Sequence, residues 1–297
     1  METKRFTLPR KIVSYKTTES WTTVPHVTFI YEADATEMLN EFSRLNANSP
    51  SLKLSLNTLL LKICTEAIKA ASQVNARIKY NPKRVTGEIE VIKNIHISMP
   101  WMLENGEIIT INLRGFENKT LMEMQEYINN IARKMKNCNI SVPLYQVSVN
   151  TIIEELKKGH LLKVANALLG TPLDKSKPCK QDIVDYDKIP AEDKITAHDL
   201  EPGTVTISNL GSICKGINGF MGILEIIPPQ VFTIGIGSIQ EKACVIKNKN
   251  GENSIEIRKI IPMCLAFDHR ALNFGEVVPF IQKLNYILEH SRTIFTE

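Results

Sequence analysis

The residue in this chain best placed to move a proton is a histidine between an apolar run and a helical stretch. Residues Ile260 to Ile287 read IIPMCLAFDHRALNFGEVVPFIQKLNYI. The run Ile260 to Phe267 has the length of a strand and is broken by Pro262. It delivers Asp268, His269 and Arg270 to a turn. Asn273, Phe274 and Gly275 follow, and then Val277, Val278, Ile281, Leu284 and Ile287 recur at helical spacing. A histidine held in such a turn can keep one ring nitrogen toward a cleft, and its neutral form accepts a proton near physiological pH. The alternative is a turn histidine satisfied by backbone groups, because periodicity says nothing about chemistry. A second polar group is Ser208 in GTVTISNLG, a strand entering a glycine turn. Read alone, it is a strand-end hydroxyl bonded to backbone.

Other chemistries fall away on spacing. Gly235 and Gly237 begin a dinucleotide-like pattern, but Gln240 holds the third glycine position and a hairpin follows instead of a helix. There is no GxSxG elbow and no phosphate-binding loop. The cysteines, at 64, 138, 179, 214, 244 and 264, form no CxxC pair, so zinc spacing is absent. With no secretory apolar region at the start, reduced thiols in a cytoplasm are the simplest expectation.

The chain has 297 residues, 43% apolar and 23% charged, the balance of a folded globular protein with a sizeable core. A net charge of +4 from 36 basic and 32 acidic residues is too even to argue for nucleic acid. The most apolar long stretch, Ile223 to Ile239, is interrupted by Glu225, Pro228, Pro229 and Gln230 and does not read as a membrane span. Residues 1 to 22 read as an arm or a first helix. Val24 to Asp34 alternates as a strand, with helices expected over 35–45, 52–74 and 121–135. Short strands and turns are expected over 77–92. A hairpin joins 95–100 to 107–113 around Asn105-Gly106, and another spans 242–260 around Asn248 to Gly251. Val149 to Leu169 reads as an apolar helix, either packed on its own subunit or docking a membrane or partner. Asp174 to Lys194 reads as surface loop.

Three ordered segments narrow the function: Thr23 to Leu39 (TVPHVTFIYEADATEML), Gly203 to Gly211 with Ile226 to Ile239, and Ala266 to Gly275 (AFDHRALNFG). Together they resemble the catalytic domain of the 2-oxo acid dehydrogenase acyltransferases, which share a fold with chloramphenicol acetyltransferase. The likeness runs from about Pro9 to the C-terminus, apart from an inserted helix and loop at about 138–193. It implies a single α/β domain over 1–297, with a mixed sheet flanked by helices, assembled as a homotrimer. It also implies an active site between two subunits: His269 as general base from one, Ser208 as oxyanion donor from the other. The substrates would be coenzyme A or acyl-CoA and a thiol acceptor of lipoyl type, the latter on a partner protein.

Two departures stand against that pattern. The family motif DHRxxDG has aspartate and glycine where this chain has Asn273 and Phe274, so the third site position carries no charge. The pattern RKxxAxR ends here in Lys16, which lacks the guanidinium fork. The catalytic-type sequence also begins almost at Met1, which predicts a free-standing acyltransferase with no lipoyl or subunit-binding module. The rival expectation is a degenerate scaffold that keeps the assembly and has lost the reaction.

Overall fold

The computed structural model of the chain describes residues 3, 6–48, 54–157, 159, 177–213, 217–248 and 250–295. Helix α1 (Leu8–Thr23) settles the reading of the first residues: Thr7 caps it and Pro9 sits in its first turn. β1 (His26–Asp34) and α2 (Thr36–Asn48) follow as the alternation predicts. α3 (Leu56–Ala70) is shorter than the apolar stripe over 52–74. Ser55 caps it, its hydroxyl accepting from Thr58 N at 3.0 Å, and a 3-10 turn takes over at Ser72.

β2 (Ala76–Asn81) and β3 (Thr86–Val91) form a separate two-stranded sheet. β4 (Ile97–Met102) and β5 (Ile108–Leu113) make the expected hairpin, with Gly106 at φ +80° supplying the left-handed turn residue. α4 (Leu121–Asn137) begins at a reciprocal cap: Thr120 Oγ1 accepts from Glu123 N, and the Glu123 carboxylate accepts from Thr120 N at 2.8 Å.

α5 (Ser141–Lys157) starts eight residues before the expected Val149. Where the sequence predicts continuing helix, Gly159 is a turn residue at φ +75°, its N–H donating to Leu156 O at 3.0 Å; the rest of the expected helix through Leu169 lies outside the described residues. The stretch expected to be surface loop contains α6 (Lys180–Lys188). Its start is a capping box built on a thiol: Cys179 Sγ accepts from Asp182 N at 3.3 Å, and Asp182 Oδ2 accepts from Cys179 N at 3.2 Å. Reading only serine, threonine, aspartate and asparagine as caps misses it.

β6 (Val205–Asn209), β7 (Phe232–Ile236), β8 (Gln240–Lys247) and β9 (Asn253–Asp268) complete a seven-stranded sheet. Its order is β1-β9-β7-β6-β4-β5, with β8 also pairing β9. The pairs β4–β6 and β6–β7 are parallel and the others antiparallel, giving the mixed sheet expected. β9 is continuous through Pro262, where the sequence predicts a break. It pairs β1 throughout 260–268, while its other edge passes from β8, ending at Ile260, to β7, starting at Met263. The Pro262 carbonyl accepts from Gly237 N at 2.8 Å, so the missing N–H points into that changeover and removes no ladder bond.

α7 (Phe274–Glu289) and α8 (Arg292–Phe295) end the described chain. Val205, Ile207, Ile234, Ile236, Leu265 and Phe267 form one core with α3 and α7. Phe232 meets Phe280 of α7 edge-on at 5.3 Å, a contact worth about 1 kcal/mol beyond its area. The alternate residues, Ser208, Gly235, Cys264 and Ala266, share the other face. No helix among the described residues is long and apolar enough to cross a membrane.

Candidate active site

His269 stands at the turn where β9 ends. Its backbone N–H donates to Pro25 O at 3.0 Å, which ties the turn to the start of β1. Its Nδ1 lies 3.1 Å from Leu272 O. A carbonyl oxygen only accepts, so in the neutral ring the proton sits on Nδ1 and the lone pair on Nε2. The residue is exposed in the single chain, and the ring meets Phe267 edge-on at 5.8 Å. The ring is thus held by Nδ1, and the backbone contact to Leu272 sets its tautomer.

Asp268 beside it is fully buried. Its carboxylate accepts from Arg270 N at 3.0 Å and from the Arg270 guanidinium at 2.6 Å. The two residues close the turn on themselves, and the guanidinium lies over the Tyr80 ring at 5.2 Å. Asn273 is the N-cap of α7. Its N–H donates to the Glu276 carboxylate, and its carbonyl accepts from Glu276 N at 3.1 Å. Phe274 leans on Phe29 at 5.1 Å. Lys16 pairs with Glu19 on its own helix at 3.2 Å.

Ser208 is 7% exposed, near the end of β6. Among the described residues no group is hydrogen-bonded to its hydroxyl, unlike the strand-end serine bonded to backbone that its sequence position suggests. It is level with Gly235 on β7 and, through it, with Cys264 on β9. His269 lies five residues further along β9 and two strands away. At about 3.3 Å per residue and 4.8 Å per strand, the two α-carbons are roughly 19 Å apart. One chain therefore does not bring His269 and Ser208 together, whereas His269 and Asn273 share one turn.

Sequence reasoning passed over His26, although it lies in a quoted segment. Its Nδ1 donates to Val24 O at 2.8 Å, and its Nε2 accepts from Ile226 N at 3.1 Å. The Ser20 hydroxyl lies 3.3 Å from Nε2, and Trp21 stacks on the ring. His26 thereby fastens α1, β1 and the segment before β7 around Pro25, whose carbonyl holds His269. The available signal was a histidine opening a strand. The Leu272 carbonyl has no sequence signal. Burial pushes the Cys264 thiol up to about 11 and Cys64 to about 12, so neither is a thiolate near neutrality. Among the described residues no group of three histidine, cysteine or acidic side chains could hold a metal ion.

Comparison with known proteins places this geometry in a family. The family described as 2-oxoacid dehydrogenases acyltransferase (catalytic domain) matches residues 1–154 and 178–296. The unmatched 155–177 fall inside the span read from sequence as an insertion. The acetyltransferase component of a Rickettsia bellii pyruvate dehydrogenase complex is 22% identical over 94% of this chain and 51% of its own length. The succinyltransferase component of a Rickettsia typhi 2-oxoglutarate dehydrogenase complex is 22% identical over 95% of this chain and 54% of its own. The chain thus spans about half the length of the curated relatives it matches. The cubic core of the pyruvate dehydrogenase multienzyme complex superposes with a TM-score of 0.67 at 20% identity, covering 99% of this chain and 94% of that one. The dihydrolipoamide acetyltransferase of Azotobacter vinelandii, in a study of a serine, a histidine and an asparagine in its catalytic mechanism, gives the same values. From the histidine turn at the end of β9 to the register of the mixed sheet, the chain belongs to the family of 2-oxoacid dehydrogenase acyltransferase catalytic domains.

Proposed function

We propose that the protein transfers an acyl group between coenzyme A and a thiol of lipoyl type carried on a partner protein, in a cyclic assembly of at least three copies. The observation that carries this reading is the Leu272 carbonyl on His269 Nδ1, which leaves Nε2 as the proton acceptor. The acceptor thiol gives its proton to Nε2, and the resulting sulfur attacks the thioester carbonyl carbon. The carbonyl electron pair moves to oxygen, where the Ser208 hydroxyl of a neighbouring copy donates to the oxyanion. The carbon–sulfur bond to coenzyme A then breaks, and the departing thiolate takes the proton back from Nε2. No covalent bond to the protein forms at any step.

The wide separation of His269 and Ser208 within one chain supports an active site built across a boundary between copies. Asn273 caps α7 four residues after His269, and the catalytic histidine and asparagine named for the Azotobacter enzyme are also four apart. An uncharged residue at this place is therefore compatible with catalysis, which removes one support from the scaffold reading.

Turnover of acyl-CoA with dihydrolipoamide tests the proposal. His269→Ala is expected to lose about 10²- to 10⁴-fold in kcat. Equal rates in wild type and His269→Ala would exclude His269 as the base.

A further inference from the structure

The backbone of His269 is held by one carbonyl, and a second histidine spans the peptide units on either side of it. Pro25 O accepts from His269 N at 3.0 Å. Before Pro25, Val24 O accepts from His26 Nδ1 at 2.8 Å; after it, His26 opens β1 opposite Asp268. The imidazole thus folds back over Pro25 and closes a ring of one side chain and two peptide units. The proline ring already fixes φ inside that loop. The direction of the Pro25 carbonyl is then set before β1 begins.

The loop is braced from outside. His26 Nε2 accepts from Ile226 N at 3.1 Å, the Ser20 hydroxyl lies 3.3 Å from the same nitrogen, and the Trp21 ring stacks at 5.5 Å. Val24, Ile226 and Ala266 form a small buried core of their own. Ala266 lies two residues before Asp268 on β9, on the sheet face that His26 shares. Both ring nitrogens of His26 are therefore engaged, Nδ1 as donor and Nε2 as acceptor. A ring in that state has no lone pair to offer a substrate thiol, so His26 is not a second base.

We propose that His26 is a positioning residue for the base: it orients the Pro25 carbonyl from which the His269 turn hangs. This inference rests on the reaction proposed above. Proton transfer and sulfur attack need reacting atoms near contact, where a misplacement of about 1 Å costs about 10²-fold. Asparagine separates this role from mere filling of space. Its amide nitrogen stands where Nδ1 does and can donate to Val24 O, but the side chain is too short to meet Ile226 N. Glutamine does the reverse: its amide reaches the place of Nε2 and leaves Val24 O without its donor.

The test is steady-state turnover of acetyl-CoA with dihydrolipoamide by the assembled full chain, as wild type, His26→Ala, His26→Asn and His26→Gln, with Tm and assembly size measured for each. His26→Ala and His26→Gln are expected to lower kcat by about tenfold or more with KM for acetyl-CoA unchanged, while His26→Asn stays within about threefold of wild type. Tm is expected to fall in the alanine and asparagine variants alike, so stability alone does not reproduce that order. A folded His26→Ala with wild-type kcat overturns the positioning role, and so does a His26→Asn as slow as His26→Ala. Should His26→Ala fail to fold, equal kcat in the glutamine and asparagine variants overturns it. Each of these results leaves His269 and the reaction in place. No turnover by wild type overturns the reaction itself, and the positioning role with it.

Discussion

Two inactive variants should restore activity when mixed. His269 and Ser208 are roughly 19 Å apart in one chain by strand geometry, beyond the reach of two short side chains. In a ring where each copy gives its histidine to one neighbour and its serine to the other, a working site needs an intact residue from each. His269→Ala alone is expected to fall about a thousandfold, and Ser208→Ala about a hundredfold or more, since loss of an oxyanion donor costs ~3 kcal/mol. Unfolding and refolding the two together at equal amounts randomises the ring. Half the sites then have an intact histidine and half an intact serine, so about a quarter of all sites have both in a closed cyclic assembly. Recovery near one quarter of the wild-type rate is far above either background. The assay is acyl-CoA and dihydrolipoamide turnover before and after mixing, with assembly size checked by light scattering. Recovery no greater than the mean of the two variants refutes the shared site, and with it the separate roles given to the two residues.

Three further outcomes follow from contacts described above or from the same structure. Asn273 starts α7 through its backbone N–H and carbonyl, so Asn273→Ala and Asn273→Asp are both expected to stay within about 0.5 kcal/mol of wild type in urea unfolding; kinetics on the folded variants then read the amide's part in turnover. Glu66 accepts from Lys62, which is only 4% exposed, at 3.0 Å and from Lys69 at 3.0 Å, so Glu66→Ala removes both charge-assisted bonds and is expected to cost about 2 kcal/mol by chemical denaturation. Burial pushes the Asp34 carboxyl up, but hydrogen bonds from Thr36 and Arg258 outweigh it and hold the group below the usual carboxylate range. A lowered folded-state value adds stability above the ordinary value and loses it as pH falls through the lowered one. Asp34→Asn should therefore reduce Tm at pH 7, with the difference shrinking below about pH 4.

The strongest signals in the sequence were those in which local pattern and tertiary role agree. Asn105-Gly106 marks a turn because Gly106 must take φ +80°, and the hairpin stands where it was expected. His269 was legible as a residue at a strand-to-helix turn. What fixes its tautomer is a backbone carbonyl at Leu272, which any residue type would provide. Pro262 misled because proline is read as a strand breaker, and only the change of neighbour from β8 to β7 shows why it is tolerated. Cys179 misled in the opposite way, since a thiol does there what a hydroxyl usually does. The packing of the Met221 methyl against Gly235 had no sequence signal at all, since it depends on a side chain that glycine leaves out.

β9 has a mechanical consequence. Its sixteen residues span roughly 50 Å of uninterrupted extended chain. Near one end, the hairpin with β8 turns Val245, Ile255 and Ile257 outward, each more than two-thirds exposed. The other end is the turn that presents His269. With β1 and β7 clamping its C-terminal half, the strand works as a stiff rod. The exposed ribbon and the turn that carries His269 are therefore opposite ends of one continuous strand, with no loop between them.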